Sequence, residues 1–355
     1  MERILLLDYA RIGAALLVVF GHLYDPSPDE VLRTFIYQFH MPLFFFISGM
    51  LHRPKSLSSL VRRLLWPVVV FYGFYHLLCY PVYHYGLWEG DYAAYQSGFV
   101  PFLCTVFADM GRCFVQNKGL GPSWFLIALF YVKVLSMVAT FSARRCGFFL
   151  RDGRCVVLFE CFFLAGLCGL CWFAGYRYGL AQGYGGWRNV CYLGNALMAM
   201  PYYAAGRYVV GLLPAVEAWF AHHRPVAFGL AVALAGMVSV AVHYNGGVSM
   251  FCILFGRQPF PLNVLWCYGS GFCGTLMVLL LALSLPRCPQ GWGTSCIRLG
   301  AASLMGVLGF QYFFCEVVRH TLGLGQPYLI GFLLSLAIYS VCVLLWLLFH
   351  RYGIL

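Results

Sequence analysis

Charged residues are scarce in this chain. Asp, Glu, Lys and Arg account for 10% of its 355 residues, whereas about 25% is typical of soluble globular domains. Hydrophobic residues account for 62%. The shortage of charge excludes an ordinary soluble protein, and the hydrophobic excess predicts an all-α polytopic membrane protein.

Other features are missing too, and each absence excludes a class of protein. No small-residue cleavage site follows the first hydrophobic run, which argues against a secretory signal peptide. No basic patch with interleaved aromatic residues accompanies the net charge of +11, so nucleic acid is not an expected partner. The CxxC pair Cys168 and Cys171 lies inside a hydrophobic run, so no metal site is expected. Without a long soluble segment, residues 1–355 are predicted to form one transmembrane domain.

Ten segments are apolar enough to cross a bilayer, which takes roughly 20 mainly apolar residues. They cover residues 4–23, 34–51, 64–86, 121–141, 155–176, 190–213, 226–243, 263–285, 298–319 and 328–349. The connections are short, except for a longer extracytoplasmic loop predicted at 87–120. Its apolar patch at 99–107 is too short to span, so we expect an interfacial or re-entrant segment there.

Basic residues in the connections predict the orientation. With the N-terminus in the cytoplasm, the cytoplasmic connections receive about twice as many Lys and Arg as the outer ones. The positive-inside rule therefore predicts an N-in/C-in topology, which an even number of spans requires.

The first span, LDYARIGAALLVVFGHLYD, carries ionisable residues in a hydrophobic helix. Arg11 and His22 are eleven positions apart, so about 1,100° of rotation returns them to one helix face, roughly 16 Å apart along the axis. Asp8 precedes Arg11 by three positions, at ion-pairing distance. In the predicted orientation Asp8 lies near the inner end and His22 near the outer surface.

Two interpretations of this helix stay open. In the structural one, Asp8 and Arg11 hold helices together and His22 lies at the membrane interface. In the functional one, all three line a cavity, since a central Arg costs about 2.5–3.5 kcal/mol in a bilayer and such residues usually face one. The second span adds His40 beside Pro42, which can kink the helix. A lone His beside Pro is usually structural, but its depth near that of His22 suggests a shared cavity.

These segments resemble the acyltransferase 3 family of integral membrane acyltransferases. The resemblance rests on LDYARIGAALLVVFGH, FHMPLFFFISG at 39–49, RLLWP at 63–67, SWFL at 123–126 and PYYAAGRYV at 201–209. Family members transfer acyl groups, commonly acetyl, from cytosolic acyl-CoA to sugar hydroxyls. The resemblance therefore implies a membrane O-acyltransferase of the bacterial cytoplasmic (inner) membrane, with acyl-CoA as co-substrate, a carbohydrate acceptor and no bound cofactor.

The resemblance also assigns residues. Arg11 and His22 match the essential pair of the family. Arg63 matches a basic residue of its second, cytoplasmic-facing motif, and Trp124 matches the Trp of its fourth-span motif.

The chain also departs from the family pattern. Many members have two Arg three positions apart before the proline, where this chain has Leu60, although Arg62 adjoins Arg63. Many carry a His seven positions after the serine of the ninth span, where this chain has Phe310. The carboxy-terminal esterase-like domain of longer members is not expected here.

Acyl transfer to an alcohol needs a base for the hydroxyl proton and positive charge where an oxyanion develops. We expect His22 to be this base, with an acylated nucleophile as the alternative. Arg11 would either orient the donor or keep the passage electropositive, and Asp8 would fix Arg11. Arg62 and Arg63 would bind the CoA phosphates at the inner face.

Further polar residues lie toward the predicted outer side. Glu316 and Arg319 are three positions apart near the end of the ninth span, so a structural ion pair is favoured over a role in acceptor binding. His40 and Trp124 are the other candidates for lining the acceptor cavity.

A function from another class is a carrier that exports a glycan, a polyol or a lipid-linked sugar, with the ionisable residues of the first span as a relay. Such carriers often show matched interrupted helices in two halves, and the sequence has no evident internal symmetry. A noncatalytic scaffold would not need the Arg–His pair on one face.

Overall fold

The structure is a computed structural model. It describes residues 5–24, 31–85, 87, 98–116, 120–145, 191–245, 264–286, 291–323 and 327–355. All regular elements in these ranges are helical, as predicted. They are α1 (Leu5–Leu23), α2 (Val31–Met50), α3 (Leu57–Leu60), a π-helical turn (Val61–Leu65), α4 (Trp66–His84), α5 (Phe99–Gln116), α6 (Trp124–Arg145), α7 (Leu193–Val209), α8 (Leu213–His222), α9 (Arg224–Tyr244), α10 (Val264–Ser284), α11 (Trp292–Ala302), α12 (Leu304–Leu322) and α13 (Tyr328–Arg351).

Six helical stretches within the described ranges are long and apolar enough to cross a membrane. They are Leu5–Leu23, Leu57–His84, Gly121–Ser142, Arg224–Tyr244, Leu265–Ser284 and Tyr328–Arg351. Each coincides with a span predicted from the sequence. The predicted span 155–176 lies outside the described residues, and the count of ten and the N-in/C-in topology stay predictions.

The predicted span 298–319 consists of two helices rather than one. Helices α11 and α12 meet at Ser303 with a bend of 69°. The Ser303 hydroxyl donates a hydrogen bond to the Gly300 carbonyl at 2.9 Å. Such local side-chain bonds compete with the backbone pattern of a helix. Pro42, in contrast, leaves α2 continuous from Val31 to Met50.

Helix α2 lies at the centre of the bundle. It packs against α1, α7, α9 and α10, and its residues 36–47 are all buried. Two glycines allow α2 and α7 to approach closely. A Cβ at Gly49 would collide with the Tyr203 carbonyl, and one at Gly206 would collide with the Phe46 carbonyl. Small residues at such crossings are a common basis of helix association in membranes.

The apolar patch at 99–107 forms the first half of the 18-residue helix α5. Helix α5 packs on α4, where the buried Phe102 ring lies 4.5 Å from the Tyr80 ring. It is not one of the six stretches that could cross a membrane.

Candidate active site

The Asp8–Arg11 ion pair forms as the sequence spacing predicts. An Arg11 guanidinium nitrogen lies 3.5 Å from Asp8 Oδ1, and the Asp8 and Arg11 side chains are 3% and 22% exposed. Both residues and His22 belong to the single unbroken helix α1. With about 1.5 Å of rise per residue, the pair and His22 lie near opposite ends of α1.

His22 contacts two tyrosines that come from different helices. Its Nδ1 lies 3.3 Å from the Tyr37 hydroxyl of α2, and its ring meets the Tyr312 ring of α12 edge-on at 6.0 Å. When Nδ1–H donates to the Tyr37 oxygen, the lone pair of Nε2 is left available to accept a proton. This arrangement suits a base, and sequence analysis missed both tyrosines.

His40 is linked to His22 through Tyr37 rather than by a direct contact. Its ring lies 4.8 Å from that of Tyr37. Its Nδ1 lies 3.1 Å from the Ile36 carbonyl, and because a carbonyl oxygen only accepts, Nδ1 carries the proton. The Arg33 guanidinium lies 4.5 Å above the Tyr37 ring. The expected proximity of His22 and His40 is thus mediated by an aromatic ring.

Glu316 is joined to the same region. It accepts a 2.6 Å hydrogen bond from the Tyr75 hydroxyl of α4, and its other oxygen lies 3.7 Å from Arg319. The Arg319 guanidinium is 5.9 Å from the centre of the Tyr312 ring, which in turn meets His22. The predicted ion pair is present, and it lies against the tyrosines around His22. We call His22, Tyr37, Tyr75, Tyr312, Glu316 and Arg319 the His22 cluster.

Trp124 follows the turn Gly121–Ser123, which lies beside Tyr312 of this cluster. It begins α6 directly after the turn at Gly121, which has φ +52° and where an added Cβ would contact the Tyr312 ring at 3.8 Å. The half-buried Trp124 ring stacks near that of Tyr192, at 6.5 Å and 17°. The role of Trp124 in lining the acceptor cavity stays a prediction.

Arg62 and Arg63 lie at the opposite end of the bundle from the His22 cluster. Both are exposed on the π-helical turn Val61–Leu65, and such turns are frequent at functional sites. Lys55 lies nearby, and burial together with the positive charges of Arg63 and Arg53 lowers its pKa. This end of the bundle therefore concentrates positive charge.

A second group of basic residues extends inward from this end. Lys133 of α6 donates to the Tyr203 hydroxyl at 3.4 Å, and the Tyr203 hydroxyl is hydrogen-bonded to Nδ1 of His52. Burial, assisted by the charges of Arg207 and Lys133, lowers the pKa of His52 to about 4. His52 is therefore neutral near pH 7 and can accept the tyrosine proton. We call Lys55, Arg63, Lys133, Arg207, His52 and Tyr203 the basic cluster.

The two departures from the family pattern have simple structural counterparts. Leu60 is buried and only 3% exposed, so an apolar side chain packs here. Phe310 packs against three other aromatic rings, with centroids 5.0 Å from Phe71, 4.8 Å from Phe74 and 5.0 Å from Phe349. At position 310 the chain thus has hydrophobic packing where many relatives have a histidine.

The described part of the chain has no group of three or more His, Cys, Asp or Glu arranged to hold a metal ion.

The family model of acyltransferase 3, described as an acyltransferase domain, matches residues 4–350. No curated protein and no solved structure matches the chain.

Proposed function

Because the chain belongs to the acyltransferase 3 family, we propose that this membrane acyltransferase transfers an acyl group, acetyl in the first instance, from cytosolic acyl-CoA to a hydroxyl of a cell-surface or exported carbohydrate. The observation that carries this proposal is the hydrogen bond between His22 and Tyr37, at the end of α1 opposite the basic cluster. We further propose a multi-pass protein of the bacterial inner membrane.

The His22 cluster has the groups that the acceptor half of the reaction needs. In the proposed step, Nε2 of His22 takes the proton of a sugar hydroxyl while the hydroxyl oxygen attacks the thioester carbonyl carbon. The C–S bond then breaks, the ester forms, and the CoA thiolate leaves and takes up a proton. Tyr37 positions the His22 ring, and Tyr75 and Tyr312 offer aromatic faces for a sugar. We favour this base mechanism over an acylated His22.

The basic cluster supports a donor site at the other end. The phosphates of acyl-CoA carry negative charge, and Arg63, Arg62 and Lys55 present cations on an exposed turn. Lys133 and Arg207 continue the positive charge inward. The acyl thioester would reach His22 along α1, past Arg11, whose charge Asp8 holds in place.

One experiment tests the proposal directly. The protein is reconstituted in liposomes with radiolabelled acetyl-CoA inside and a cell-surface glycan extract outside. We expect labelled glycan from the wild type, and a loss of about 10²–10⁴-fold in His22→Ala. The matched control is His222→Ala, at an exposed histidine of α8, which keeps wild-type labelling.

Two outcomes would overturn the proposal. Equal labelling by the wild type and His22→Ala would remove His22 from the mechanism. Transport of unmodified glycan without any labelling would favour a carrier.

A further inference from the structure

A deep apolar groove runs along the face of α1 that points away from Arg11 and His22. Its volume is about 630 Å³, and its walls are contributed by α1, α2, α9, α10 and α13. On α1 it is lined by Gly13, Leu17 and Phe20 among others, which helical geometry places opposite the Arg11–His22 face. Four of these five helices are stretches that could cross a membrane, so the groove lies in the bilayer.

The groove has the length of one lipid chain. On α1 it extends from Tyr9 to Phe20, eleven positions or about 16 Å. One leaflet of the hydrocarbon core is about 15 Å thick. An acyl chain entering from the end where α1 begins would therefore fill the groove along its length.

A polar recess adjoins the groove at that end. It has a volume of about 30 Å³, room for a group as small as an ammonium, and it shares Tyr9, Ala282 and Leu285 with the groove. Its other lining residues include Glu217 and Arg224. A negative and a positive side chain thus face one recess at the mouth of an apolar channel.

The position of this recess matches the headgroup layer. It lies between α8 and the beginning of α9, and α8 carries Trp219, which is 50% exposed. Exposed Trp residues are enriched at membrane interfaces. In the predicted topology this is the cytoplasmic leaflet.

From this combination we propose that the groove and recess bind one phospholipid with a zwitterionic amine headgroup, such as phosphatidylethanolamine. One acyl chain occupies the groove, the phosphate pairs with Arg224, and the ammonium enters the recess beside Glu217. The paired charges disfavour lipids that carry a net negative charge, because Glu217 repels an additional anion. This site does not depend on the proposed acetyl transfer, since it lies on the opposite face of α1.

The chain offers a matched pair of variants to test the site. An added Cβ meets no atom within 4 Å at either Gly13 or Gly236, so a leucine can be introduced at both without a clash at its Cβ. Gly13 lines the groove, whereas Gly236 of α9 does not. Gly13→Leu should therefore block the acyl chain without disturbing the helix bundle, and Gly236→Leu should not.

The full-length protein is placed in nanodiscs of phosphatidylethanolamine and phosphatidylglycerol, and retained lipid is measured by native mass spectrometry. We expect one phosphatidylethanolamine on the wild type and on Gly236→Leu, and at least a tenfold loss on Gly13→Leu. Arg224→Gln should lower retention of both lipids, whereas Glu217→Gln should abolish only the preference for the amine lipid.

Three results would overturn the proposal. One is equal retention by the two glycine variants. Another is retention without any preference between the lipids, which indicates a nonspecific annular shell. The third is an unchanged preference for phosphatidylethanolamine in Glu217→Gln.

Discussion

The Tyr37 hydroxyl lies 3.3 Å from Nδ1 of His22 and joins the first two helices of the bundle. The two residues are 15 positions apart in the chain. The bond leaves Nε2 as the ring nitrogen that can react. Tyr37 is therefore a positioning residue for the proposed base, and the arrangement can be tested by removing one oxygen atom.

We expect Tyr37→Phe to lower kcat about five- to tenfold, because one hydrogen bond that orients the imidazole is lost. The KM for acetyl-CoA should stay within twofold, since Tyr37 is far from the proposed donor site. Steady-state kinetics in liposomes measure both. The control Tyr268→Phe removes a hydroxyl that donates to the Met198 carbonyl, between other helices. An equal loss of kcat in that control would show that Tyr37 acts only through stability.

Variants of the Asp8–Arg11 pair can distinguish a structural role of the pair from a chemical one. Asp8→Asn leaves the Arg11 charge without its carboxylate and should cost about 1.5–3 kcal/mol of stability. The double variant Asp8→Asn with Arg11→Gln should recover most of the melting temperature, since neither charge is then left alone. If Arg11 orients the donor, the double variant stays inactive. Recovery of acetyl transfer along with stability would reduce the pair to a structural role.

The arrangement of α1 was predictable from sequence because it is local. The i,i+3 spacing of Asp8 and Arg11, and the shared face with His22, follow from helical geometry alone. The ion pair forms as predicted. Six spans likewise follow from runs of hydrophobic residues.

The partners of His22 were not predictable, because they depend on contacts between distant segments. Tyr312 reaches the ring from α12, and Tyr75 of α4 reaches Glu316. Tyrosines are frequent in this chain, which has 24, so composition singles out none of them. The bend at Ser303 was missed for another reason: hydropathy is continuous across it, so the two helices read as one span in the sequence.

The pKa of His52 predicts a pH dependence of stability. Burial and the neighbouring charges hold this pKa at about 4 in the folded protein, against about 6.5 when unfolded. As the pH falls from 6.5 toward 4, the unfolded chain takes up a proton that the folded chain does not, so stability is lost. Melting curves at pH 7 and pH 5 should show a smaller acid-induced drop for His52→Gln than for the wild type.

The control for this measurement is His222→Gln, since His222 is exposed at the end of α8. It should keep the wild-type acid response. An identical response in His52→Gln would contradict the assigned role of His52.

The close crossing of α2 and α7 predicts a large effect of one methyl group. A Cβ at Gly206 collides with the Phe46 carbonyl, which is backbone and cannot rotate away. We expect Gly206→Ala to destabilise the protein by about 1–3 kcal/mol. The control Gly229→Ala, where no atom lies within 4 Å, should be neutral or slightly stabilising because Ala favours helix. Thermal unfolding in detergent compares the two, and equal melting temperatures would exclude the tight crossing.

Arg62 and Arg63 are exposed on the π-helical turn. We therefore expect their substitution to weaken donor binding without slowing the chemical step. We expect Arg63→Gln to raise the KM for acetyl-CoA about tenfold while kcat changes less than twofold, because Arg63 would contact phosphates far from the reacting carbonyl. The matched control is Arg112→Gln. Arg112 is equally charged, 67% exposed and paired with Asp109 at 3.2 Å on α5, away from the basic cluster. An unchanged KM in Arg63→Gln, or an equal rise in both variants, would move the donor site away from this turn.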